Sequence, residues 1–132
     1  MLSSEKLIVT ESASILLITK DLFFLPVLRS AAETFGFKVH NSSKVDWEPA
    51  EDQPAPIGCV LDLGAISLAD LPSIAKHLDG MLQKPQRLAF GSHVHAVRLE
   101  RAAEAGFSPV LTKSQIQGQL PRVLQQWSEA DA

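Results

Sequence analysis

A single cysteine, Cys59, is all that the sequence offers for disulfide chemistry, so no intrachain bridge can staple the fold. No apolar run approaches the roughly 20 residues that a conventional membrane-spanning helix needs. The opening residues alternate polar and apolar types and lack the basic segment, long apolar core and small-residue cleavage site of a secretion signal. A basic amphipathic membrane anchor is missing as well. Together these absences predict a reduced, cytoplasmic chain with no membrane partner. Positive charge is also in short supply. Twelve Lys and Arg stand against 15 Asp and Glu, and a formal charge of -3 gives no general field for a phosphate backbone, which argues against direct nucleic-acid binding. There is no Gly-rich phosphate loop of the P-loop type and no Rossmann fingerprint at the first strand, so a nucleotide-dependent enzyme has little support.

What remains is an ordinary globular composition, 45% hydrophobic and 20% charged over 132 residues, which is enough for one domain with one core. The apolar runs at 15–19 and 57–61 are short, continuous and β-favouring, as expected of strands covered on both faces. Further strands are expected at 37–40, 87–90 and 109–112. Phe24, Leu28, Ala31 and Phe35 recur at helical spacing over 23–35, with Pro26 in the first turn and Gly36 as a stop. Helical periodicity also runs over 67–82 through Leu68, Leu71, Ile74, Ala75, Leu78 and Leu82, and over 94–105 with Gly106 as the cap. Ile116, Leu120, Val123, Leu124 and Trp127 mark a closing helix, whose regular part is expected near Leu120 because Gly118 and Pro121 interrupt what precedes it. The prolines between 42 and 56 leave room for only a short helix at 47–51. Residues 1–14 read as a leader, or as an extra edge strand at 7–9, ahead of a domain spanning 15–130. Alternation of strand and helix predicts a three-layer α/β/α domain of flavodoxin-like type, with a five-stranded parallel sheet in the order 2-1-3-4-5.

In such a sheet the carboxyl ends of neighbouring strands converge on one mouth, and chemistry is sought there. The candidates are Thr19, Lys20 and Asp21 after the first strand, Asp62 after the third, Ser92 and His93 after the fourth, and Lys113 after the fifth. With this layout, and with Asp62 in Val60-Leu61-Asp62-Leu63-Gly64, the sequence resembles the CheY-like receiver domains of bacterial response regulators from about Ile15 to Trp127. The resemblance implies that Asp62 is the phosphoacceptor and that Ser92 and Lys113 contact the phosphoryl group. It also implies an acidic pair after the first strand, which together with the phosphoacceptor holds Mg²⁺. Here the chain departs from the pattern. A gapless comparison puts Thr19 and Lys20 at the pair and leaves Asp21 one residue late, so Asp21 and Asp62 are the only candidate metal carboxylates. Lys20 puts an ammonium where a hard cation would sit. Ser114 stands in place of the family's proline, a smaller change.

The reading is therefore of a degenerate or pseudo-receiver that acts in signalling or regulation by protein interaction, with no cofactor and no turnover. The alternatives are a phosphorylatable single-domain response regulator that uses Mg²⁺ and Asp62 with a histidine kinase as partner, and an unrecognised small enzyme. A Lys20–Asp62 ion pair is expected to substitute electrostatically for the metal. His93 shapes the loop more than it ligates metal, its spacing from His95 fixing no site, and Cys59 reads as a core residue. Val94, Val97 and Trp127 form a candidate interaction surface for a regulatory partner or a homodimer. With one domain filling the chain, output is expected to pass through another molecule.

Overall fold

The computed structural model describes residues 13–44, 47–49, 53 and 55–131. The expected extra strand at 7–9 and nearly all of the leader lie outside the described residues. So does the end of the short helix expected at 47–51, whose described residues 47–49 are not helical. The elements in chain order are β1 (Ser14–Ile18), α1 (Phe24–Glu33), β2 (Lys38–Ser42), β3 (Gly58–Asp62), α2 (Leu71–Asp79), β4 (Gln86–Gly91), α3 (Ala96–Glu104), β5 (Val110–Thr112) and α4 (Lys113–Asp131). The strands form one five-stranded sheet in the order β2-β1-β3-β4-β5, parallel throughout, as the sequence predicts.

The period of two along each strand divides the core. Ile15, Leu17, Val60 and Leu88 face one cluster with Phe24 and Leu28 of α1 and Leu120 and Leu124 of α4. Leu16, Ile18, Cys59, Leu61 and Ala89 face the other, with Leu71, Ile74 and Leu78 of α2 and Ala102 of α3. β1 and β3 are buried at every residue because helices cover both faces, whereas the edge strand β2 is exposed or half-buried along its length. Gly36 and Gly106 carry φ of 77° and 93°, so the chain leaves α1 and α3 through left-handed turns that suit glycine.

Three boundaries differ from the periodicity. The segment 63–70 makes two 3₁₀ turns before α2, because the Asp62 and Ser67 side chains accept the Gly64 and Ala69 N–H groups and tie the chain locally. α2 ends at Asp79, and Leu82 stands 98% exposed rather than on its apolar face. α4 begins at Lys113, well before Leu120. Gln115 Oε1 accepts the Thr112 N–H at 2.9 Å, half of a capping box in Thr112-Lys113-Ser114-Gln115. Pro121 and Gly118 fall on the exposed side of α4, where water can take the carbonyl that the proline leaves unbonded.

Trp127 corrects the expected interaction surface. It is 4% exposed, and its ring lies so close over Gly58 that a Cβ there would overlap it. Val94, in the turn ahead of α3, and Val97, in its first turn, are by contrast 69% and 55% exposed.

Candidate functional site

The register brings the strand ends level. Ile18 pairs with Leu61, Asp62 with Phe90 and Gly91 with Thr112, so Thr19, Asp62, Ser92 and Lys113 all emerge along one edge of the sheet. Asp62 ends β3 and is 4% exposed. Its Oδ2 accepts the Thr19 hydroxyl at 2.8 Å and its Oδ1 accepts the Gly64 N–H at 2.9 Å. Thr19 Oγ1 in turn accepts the Asp21 N–H at 3.0 Å, and Asp21 Oδ1 accepts the Phe23 N–H at 2.9 Å. A continuous hydrogen-bonded path thus runs from the turn after β1 to the buried carboxylate. Both oxygens of Asp62 are engaged by uncharged donors, as a desolvated carboxylate requires when no cation is beside it.

Alternation explains why Thr19 fills this position. Thr19 is 2% exposed and points inward, and the next residue, Lys20, turns to solvent. The ion pairs among the described residues join Lys84 and Arg87 to Asp79 and Arg101 to Glu104. The expected Lys20–Asp62 pair is not formed, because the hydroxyl of Thr19 occupies the place beside the carboxylate. Asp21 does not reach Asp62 either, since its exposed carboxylate folds back on its own loop. Ser92 Oγ accepts the Val94 N–H at 3.3 Å and makes no bond to Asp62. Lys113 opens α4, exposed, with no ion pair among the described residues. His93 and His95 are exposed in the turn ahead of α3. Cys59 is fully buried, and burial pushes its thiol up to about 12 against a partial opposing effect of Arg87, so it stays protonated and unreactive.

Two participants are not legible in the spacing alone. The Gly64 N–H is one, although Asp62-Leu63-Gly64 is a sequence that favours an Asx turn. Arg98 of α3 is the other. Its Nη1 donates to the carbonyls of Leu63 and Ile66, both at 2.9 Å, fastening α3 to the loop that leaves Asp62. Nothing at Arg98 in the sequence distinguishes it from a solvated helix charge.

Mg²⁺ needs a near-octahedral oxygen shell, usually with one or two carboxylates. In this mouth the inward side chain after β1 is a hydroxyl already donated to Asp62, the Asp21 carboxylate is turned away, and the adjacent residue is a lysine. No group of three His, Cys, Asp or Glu side chains that could hold a metal occurs among the described residues.

The chain is similar in fold to solved receiver domains. A response regulator receiver protein from Pseudoalteromonas atlantica superposes with a TM-score of 0.71 at 14% identity, over 90% of this chain and 99% of that one. The receiver domain of a sensor histidine kinase from Pseudomonas aeruginosa, solved with a magnesium ion in its active-site cleft, gives 0.68 at 20% identity, over 90% and 99%. A CheY-like response regulator from Mesorhizobium loti gives 0.67 at 16% identity, over 89% and 99%. No protein-family model matches the sequence, and no curated protein matches it. The fold is therefore that of a receiver domain, the three-layer arrangement with strand order 2-1-3-4-5. No helix among the described residues is long and apolar enough to cross a membrane.

Proposed function

We propose that the chain is a receiver-type signalling domain that works through protein contacts, with Asp62 held as a structural carboxylate rather than used as a phosphoacceptor. The observation that carries this reading is the 2.8 Å hydrogen bond from Thr19 to Asp62 Oδ2. It occupies one oxygen, and the Gly64 N–H occupies the other. A phosphoryl transfer to Asp62 needs neutralisation of the incoming charge, and among the described residues Asp62 has no ion-pair partner and the Asp21 carboxylate bonds within its own loop. Exposed apolar side chains beside the mouth, Leu22 and Phe23 after β1 and Val94 and Val97 at α3, support contact with a regulatory or signalling protein.

Incubation with a small phosphodonor and Mg²⁺, read by intact mass, tests the proposal. Mass unchanged, under conditions that modify an ordinary receiver, is the expected result. A metal-dependent gain of one phosphoryl group that disappears in Asp62→Asn refutes it and makes the chain a phosphorylatable regulator.

A further inference from the structure

Beside the Asp62 mouth, on the β2 side, lies an open groove of about 740 Å³ lined by the residues after β1, after β2 and after β3. We propose that the groove binds a phosphorylated small molecule, with Lys20 and Lys44 holding its phosphoryl group. The proposal is independent of whether Asp62 accepts phosphate.

The placement of the two lysines is the main argument. β1 and β2 are adjacent, and their last paired residues are Ile18 and Ser42. Lys20 and Lys44 each follow two residues later, and both line the groove. Two like charges lining one groove repel each other. Neither lysine has a carboxylate within ion-pair distance among the described residues. An anion in the groove can draw on both charges.

The rest of the lining suits an organic phosphate. Ser43 and Ser67 bring hydroxyl groups to the groove, and Ala65 and Ile66 supply its apolar part. Ser67 Oγ accepts the Ala69 N–H at 3.3 Å, and its own proton remains available to an acceptor. Asp70 is the one carboxylate in the lining. The charge of Asp62 is directed elsewhere, into the Thr19 hydroxyl and the Gly64 N–H. The groove also lies beside β1, from which the sheet continues to β2 on one side and to β3 on the other. Crevices at that point collect ligands in open α/β sheets.

Adenosine monophosphate is the probe, with pyrophosphate and unphosphorylated adenosine as companion arms. In ¹⁵N-resolved NMR titrations of the full chain, AMP and pyrophosphate are expected to shift the amides of Lys20, Ser43, Lys44 and the 64–67 loop, while adenosine leaves them in place. Lys20→Ala and Lys44→Ala should each weaken AMP binding about fivefold, the size of one exposed charge contact, and the double variant about 25-fold. Lys38→Ala removes the same charge from the other end of β2 and should change nothing. Resonances away from the groove report that each variant is folded. Absence of a response to both AMP and pyrophosphate at millimolar concentration overturns the proposal. So does an equal response to adenosine, or an AMP affinity that the double substitution leaves unchanged.

Discussion

Replacing Thr19 with valine isolates the bond on which the reading of the mouth depends. The two side chains have nearly the same shape, so Thr19→Val opens no cavity at a position that is 2% exposed and removes only the hydroxyl. Asp62 Oδ2 then loses its donor inside a site that is 4% exposed. The Asp21 N–H also loses its acceptor, but it lies near the surface and water replaces the bond. A hydrogen bond to a charged group contributes about 1.5–3 kcal/mol, and an unmet buried charge sits at the upper end of that range, so the expected loss is about 2.5 kcal/mol. For a chain of this size that lowers the melting temperature by about 8–10 °C. Urea denaturation at neutral pH measures it, with Asp62→Asn as the second arm of a double-mutant cycle. The amide that Asp62→Asn introduces can keep Gly64 as donor to its oxygen and present its own N–H to Thr19, leaving a weaker neutral bond, so coupling between the two sites should be about 1 kcal/mol. A loss from Thr19→Val below about 0.5 kcal/mol, the scale of an ordinary surface change, or the same loss in the Asp62→Asn background, refutes the claim that this hydroxyl holds the carboxylate.

Two further predictions concern the opposite end of the sheet. Gly58→Ala drives a methyl group into the Trp127 ring, and expelling the ring from its seat should cost about 3 kcal/mol, the upper range for overpacking, with a red shift of tryptophan emission; unchanged emission contradicts the packing. Asp79 has its carboxyl held below the ordinary 3.8, chiefly by its hydrogen bond from Arg87 at 2.6 Å and secondarily by Lys84. Because the folded value is depressed, its contribution is present above the unfolded value and is lost as pH falls through the folded one. The cost of Asp79→Asn should therefore be measurable at neutral pH and fade as pH falls below the ordinary carboxylate range, and an equal cost at both ends of a denaturation series contradicts the pairing.

The sheet was readable in the sequence because residues 15–18 and 59–61 are unbroken apolar runs and the helical runs between strands keep their periodicity. Helix ends were less so. Apolar spacing carried α2 through Leu82, but the hydrogen bonds from Gly64 and Ala69 to Asp62 and Ser67 delay its start, and the chain leaves at Gly80. At α4 the breakers Gly118 and Pro121 outweighed the Thr112–Gln115 cap, which was visible as a motif. Asp62 could be picked out as a strand-end acid, and Thr19 by its place in the register. The direction of Lys20 could not be fixed, since inward or outward after a strand depends on where the pleat ends. Trp127 belongs to an apolar stripe whose depth is set by Gly58, a residue distant in the chain, and periodicity does not encode that relation.

Arg98 gives the mouth and α3 a shared rigidity with a definite population cost. Its guanidinium bonds to two main-chain carbonyls on the loop beginning at Asp62, so α3 cannot swing away without breaking both. At the low end of the range for bonds to charged groups, two such bonds amount to about 3 kcal/mol, which leaves a detached α3 in fewer than about one molecule in a hundred. The Val94 and Val97 surface is therefore presented in essentially one geometry, and a partner that fits it meets a preformed shape instead of selecting a rare one.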